Sequence, residues 1–166
     1  MKNEWSLADV IRLIDVVNNK RTGSCAGSHS EEAAIAEQQL NEAFGANNLL
    51  AVYGTLAPGR QNYHIVEPLG GDWSEGIIEG NLQQTGWGAT LGYPAFRPQS
   101  GGPVHKIKLL KSRALASGWQ HVDDFEGPDY QRILVPVFRV ELETSEKDAR
   151  RLLTVANLYA AKDDAP

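Results

Sequence analysis

The chain has 166 residues, 42% of them hydrophobic and 22% charged, the proportions of a folded globular protein and not of a disordered or fibrous one. A net charge of -5 argues against nonspecific nucleic-acid binding, and no apolar run approaches the length of a bilayer span. The opening MKNEWSLADV lacks the apolar core of a secretion signal, and the one cysteine, Cys25, cannot form an internal disulfide, so a cytoplasmic protein is expected.

Residues 1–48 read as a helical N-terminal extension. Ser6 is placed to cap a first helix, with Asp9 three residues on, and Leu7, Val10, Ile11, Ile14 and Val17 mark one face. The stretch NNKRTGSCAGS is a loop. A second helix begins near Ser28 or Ser30; Ala33, Ala36, Leu40, Ala43 and Phe44 share a face and Gly45 suits its end. Each helix has one apolar face to cover. The cover is either the domain that follows or a second copy of the chain in a homodimer, and spacing alone does not choose.

Residues 49–162 form a second unit, dominated by strands. LLAVY is a short continuous apolar run, as expected of a strand covered on both sides. In DWSEGIIEGNLQQ, Gly76 and Gly80 interrupt a strand pattern and predict a bulge or a close backbone approach. LGYPAFRP and VHKIKLL each supply a short strand. RILVPVFRVELE places Leu134, Phe138, Val140 and Leu142 on one face, with Pro136 favouring an edge or bulge, and RLLTVANLYAA adds another strand. Several strands with a single helix among them predict an α+β fold whose sheet is curved or barrel-like.

That helix is predicted over Arg113 to Glu126 with Ser112 as its N-cap. Leu115, Trp119 and Val122 recur at intervals of four and three, and four more residues lead to Glu126. Asp124 points away and Asp123 sits at the margin of this stripe. A glutamate on an apolar stripe either finds a partner, for which Arg132 is the obvious candidate, or its pKa rises toward the range of a general acid/base. His64, His105 and His121 lack metal-ligand spacing, and Cys25 has no nucleophile context.

Taken in order, VYGTLAPG, GYPAF and VDDFEGPDYQR, followed by a strand ending ANLY, resemble the gamma-glutamylcyclotransferase-like family over roughly residues 49–161. The resemblance implies a small mixed β-barrel with flanking helices, here preceded by the helical extension. It implies that Gly54, Thr55 and Leu56 bind the polar end of a glutamyl-like substrate through backbone N–H groups, with Tyr53 anchoring their loop. Tyr93 and Tyr130 would line the pocket, and Arg132 would form a structural ion pair. Glu126 matches the family's catalytic glutamate, the proton carrier for ring closure of a small γ-glutamyl compound to 5-oxoproline with release of an amine. No metal or organic cofactor, nucleic acid or membrane is called for. The alternative is a non-catalytic protein of the same fold that binds or senses a small molecule.

Overall fold

The computed structural model describes residues 5–23, 30–83, 95–140 and 151–162. Helix α1 (Leu7–Arg21) starts where the Ser6 hydroxyl accepts the Asp9 N–H at 3.1 Å and donates to the Asp9 carboxylate at 2.8 Å. Its buried face is Val10, Ile14 and Val17, while Leu7 remains exposed. Helix α2 (Ser30–Phe44) buries Ala33, Ala36 and Leu40. The small alanines let α1 and α2 approach closely. Together they pack onto Leu134 and Val155, two residues of the sheet beneath. No helix among the described residues is long and apolar enough to cross a membrane.

The strands are β1 (Leu49–Val52), β2 (Asp72–Gln83), β3 (Ala95–Pro98), β4 (Val104–Lys111), β5 (Tyr130–Phe138) and β6 (Leu152–Ala161). They run in the order β3-β2-β4-β1-β6-β5, and β5 meets β2 again at Phe138 and Ile77. Five strands therefore close into a mixed barrel, with β3 attached outside the ring and β1–β6 as the parallel pair. This is an α+β fold with flanking helices. Its interior is filled by Leu49, Ala51, Ile78, Phe96, Ile107, Leu109, Ala156 and Leu158 among others. Closure needs Gly76: a Cβ there would collide with Val137 across the seam, and one on Gly80 would strike the Phe96 ring. Both are the close approaches that the strand pattern predicts.

Strand β5 differs from its predicted facing. Ile133, Val135 and Val137 point into the barrel, and Leu134 lies under α1 and α2. The strand ends at Phe138, so Val140 lies beyond it and Leu142 falls outside the described residues. The strand is covered on both sides and carries no polar alternation to reveal which parity faces inward. The expectation for Pro136 is met: it lies one residue before a register shift at Val137 and Phe138. The Leu134 N–H points away from β6, to the Asn18 Oδ1 of α1 at 2.8 Å, and the Asn18 Nδ2 returns a bond to the Leu134 carbonyl at 2.8 Å. Pro136 shares that parity, so its missing N–H is one that the β5–β6 ladder does not use.

The helix before β5, α3 (Leu115–Glu126), starts two residues later than predicted, with Ala114 and not Ser112 at its N-cap. Ser112 is buried and its hydroxyl is engaged elsewhere. It donates to the Leu69 carbonyl at 2.9 Å and accepts the Ala114 N–H at 3.2 Å, which makes a turn ahead of the helix.

Candidate active site

Leu115, Trp119 and Val122 fix α3 to the outer face of the barrel, against Leu50, Val52, Leu110 and Tyr159. The indole N–H of Trp119 is held by the Asn47 carbonyl at 3.0 Å. Continuing this stripe turns Glu126 toward the protein, while Asp124 stays exposed and accepts from Gln120 at 2.8 Å. Gly127 ends the helix at φ 80, a conformation that favours glycine, and its N–H bonds the Asp123 carbonyl at 3.1 Å. Burial pushes the Glu126 carboxyl up to about 7. Among the described residues no hydrogen bond or ion pair reaches it, so nothing offsets the lost hydration.

Arg132 is therefore not the partner of Glu126. Its guanidinium takes Asp123, with Nε 3.0 Å from Oδ1 and Nη2 3.4 Å from Oδ2, and lies 4.3 Å from the centre of the Trp119 ring. The Tyr159 hydroxyl donates to the same Oδ1 at 2.6 Å. Arg132 and Tyr159 face each other across the β5–β6 ladder, so two adjacent strands grip one carboxylate of α3. Asp123 carries the structural pair, and Glu126, one turn on, has no counterion among the described residues.

Tyr53 follows directly on β1. Its hydroxyl donates to the Tyr159 carbonyl at 2.7 Å and accepts the Phe96 N–H at 3.3 Å, and its ring lies 5.5 Å from that of Phe96. The start of the loop is thus tied to β6 and β3 at once. Burial drives the Tyr53 hydroxyl far above its ordinary pKa, against the Phe96 N–H, with Tyr130 and Glu126 adding to the rise. Burial first, then Asp123, raises the Tyr159 hydroxyl as well, with Glu126 contributing. Glu126 consequently lies within electrostatic reach of both tyrosines. Tyr130, at the first position of β5, is half-buried against the cluster under α3.

Beyond Tyr53 the loop is shaped by Asn62. Its N–H bonds the Thr55 carbonyl at 3.0 Å and its Nδ2 bonds the Thr55 hydroxyl at 2.8 Å. Gly54 accepts from the Ala57 N–H at 3.4 Å. The Gly54 and Thr55 carbonyls and the Thr55 hydroxyl are therefore occupied from within. Among the described residues no acceptor is found for the N–H groups of Gly54, Thr55 and Leu56. The Leu56 side chain is buried under α3, so only its backbone is left to meet a ligand. A run of N–H groups at a turn is a place for an anion or a polarised carbonyl.

Of the predicted residues, Tyr53 feels the charges of both Tyr130 and Glu126, and the Gly54–Leu56 loop begins directly after it. Tyr93 falls outside the described residues. Sequence reasoning gave Asn62 and Tyr159 no role, although Tyr159 closes the ANLY stretch, since their partners lie seven or more residues away. His105 Nε2 sits 3.0 Å from the Gly80 carbonyl, and His64 and His121 are exposed. Among the described residues no group of three His, Cys, Asp or Glu side chains is placed to hold a metal ion.

A closed mixed barrel with flanking helices defines the class of fold. Residues 50–165 match the family described as gamma-glutamyl cyclotransferase, AIG2-like, and the chain belongs to that family. Among solved structures, the crystal structure of an AIG2-like protein from Mus musculus shares the fold. It has a TM-score of 0.51 and 21% identity, over 72% of this chain and 80% of that one. A solution structure from Arabidopsis thaliana has a TM-score of 0.48 and 22% identity, and YkqA from Bacillus subtilis 0.45 and 19%. These two matches cover 70% and 69% of this chain but only 64% and 35% of the other, less than two thirds of either relative's length. No curated protein matches the chain.

Proposed function

We propose that the protein is a γ-glutamyl cyclotransferase, releasing 5-oxoproline and an amine from a small γ-glutamyl compound, with Glu126 as the general acid/base. What supports this reading is the Glu126 carboxyl, raised to about 7 by burial and met by no ion pair or hydrogen bond among the described residues, whose charge is felt by Tyr53 at the root of a loop with N–H groups that lack acceptors among those residues.

The Glu126 carboxylate accepts a proton from the substrate's α-ammonium group. The freed amine attacks its own γ-carbonyl carbon, and the new C–N bond closes a five-membered ring. Because nucleophile and electrophile belong to one molecule, the protein need only hold the folded conformer. The oxyanion that develops is met by the N–H groups of Gly54, Thr55 and Leu56. Collapse of the tetrahedral intermediate breaks the bond to the departing nitrogen. The lactam nitrogen keeps one proton of the original ammonium, and the other two end on the leaving amine, relayed by Glu126. Tyr130 and Tyr93, from the GYPAF stretch, are proposed to line the substrate pocket.

The test is release of 5-oxoproline from a panel of γ-glutamyl amino acids, peptides and amines, wild type beside Glu126→Gln. Wild-type release that is lost in a folded variant is the expected result. Equal rates in the two proteins would overturn the mechanism. Tight binding of panel members without any release would instead favour a binding protein of the same fold.

A further inference from the structure

We propose that Arg21, the last residue of α1, is a positioning residue for Glu126, so that the helical segment ahead of the barrel sets the rate of the reaction at the barrel. The inference rests on Glu126 being the acid/base of the proposed reaction. Arg21 lies outside the family match, which spans residues 50–165.

Arg21 reaches from α1 over the outer edge of β5. Its Nη1 donates to the Asn157 Oδ1 at 2.8 Å and to the Arg132 carbonyl at 3.4 Å, and its Nη2 pairs with Glu37 of α2 at 2.6 Å. Asn157 is itself buried, and its Nδ2 holds the Ala46 carbonyl at 2.8 Å just ahead of β1. Only 19% of the Arg21 side chain is exposed, which is little for a guanidinium on a helix end. The charge is thus committed to these partners.

What it fixes is the backbone of Arg132. The side chain of that residue, with Tyr159 opposite, grips Asp123. Asp123 stands one helical turn before Glu126 on α3, and the Tyr159 carbonyl receives the Tyr53 hydroxyl at the root of the loop. A continuous set of bonds therefore runs from Glu37 through Arg21 and Arg132 to Asp123, beside the proposed acid/base. Arg21 also feels the charges of Arg132 and Asp123, a measure of how near it stands to that grip. Small errors in the placement of a proton carrier are costly in rate, whereas they leave the substrate's ground-state contacts with the rest of the site in place.

The test uses the full chain. Arg21→Met keeps the apolar stem and removes the fork. The expected result is a fall of about tenfold in kcat for 5-oxoproline release with KM changed by less than about twofold, because the loss falls on the chemical step. Arg21→Lys should recover part of it. The Arg132 Nε–H resonance is expected to exchange slowly in the wild type, where Nε–H is bonded to Asp123, and rapidly in Arg21→Met. Asn18→Ala is the control: it cuts the other tie of α1 to β5 and should lower Tm while leaving kcat and the Arg132 resonance unchanged. Arg21→Met with wild-type kcat and a protected Arg132 Nε–H would overturn the proposal, as would Asn18→Ala reproducing both losses. If Arg21→Met does not fold, Arg21→Lys with full protection and full kcat overturns it. The resonance does not depend on turnover. Should the wild type release no 5-oxoproline, the function fails, and protection or its loss in Arg21→Met still decides the positioning role.

Discussion

Replacing Glu126 by Gln should make the protein more stable, and the gain should depend on pH. Burial lifts the folded-state pKa of Glu126 to about 7 from an ordinary 4.5. The folded state therefore binds this proton more tightly than the unfolded chain does. Its stabilising contribution is fully present below the unfolded value and is lost as pH rises through about 7. The gap between the two values, at about 1.36 kcal/mol per pH unit, amounts to roughly 3 kcal/mol by pH 8. An amide stands in for the protonated acid at every pH, so Glu126→Gln escapes the loss. For a chain of this size about 3 kcal/mol corresponds to roughly 6–12 °C in Tm. Thermal unfolding followed by circular dichroism from pH 4 to pH 8, on both proteins, reads the difference directly. The other carboxylates titrate in both and cancel. The two Tm values should nearly coincide at pH 4 and separate steadily above pH 5. A separation that stays constant with pH, or a variant less stable than wild type at pH 8, would refute the account of Glu126 as a carboxylate stripped of water and left without a counterion.

In the proposed mechanism the same pKa sets the rate. Since the carboxylate is the form that accepts the proton, kcat/KM should climb as pH rises through about 7 and level off above it, and a flat profile between pH 6 and pH 8 would count against Glu126 as the base. Asn62→Ala, which removes the bond to the Thr55 hydroxyl, should lower kcat/KM about fivefold, a loss of about 1 kcal/mol typical of one hydrogen bond. Steady-state kinetics of 5-oxoproline release check it, and an unchanged kcat/KM would mean that the loop holds its shape without Asn62.

Glu126 is visible in the sequence because α3 is covered on one side only: Leu115, Trp119 and Val122 state a helical period, and the next place in that period is acidic. Tyr53 is visible because an apolar run stops there at a glycine. The two helices ahead of the barrel are equally plain, since each has one apolar stripe and a polar remainder. Strand β5 is opaque for the opposite reason. Ile133, Leu134 and Val135 are all buried, some inside the barrel and some under α1, and periodicity carries no information where both faces are dry. The partner of Arg132 is opaque for another. Asp123 and Glu126 stand on nearly the same side of α3, and what selects Asp123 is the Tyr159 hydroxyl delivered from β6, far along the chain. The part of the site built by cross-strand neighbours thus follows from the closed register, which no local window contains.

Asn18 and Arg21 are three residues apart on α1, and the carbonyls they reach, Leu134 and Arg132, are two apart on β5. One turn of helix here does the work of an adjoining strand, offering hydrogen-bonding groups at the spacing a pleated neighbour would. The rim of the barrel that would otherwise recruit a stranger is thereby occupied by the chain's own helix. A fragment beginning at β1 would bare that rim, and any assembly it formed would report an unmasked edge seeking a mate. The natural pairing habits of this protein can be read only from a chain in which α1 is in place.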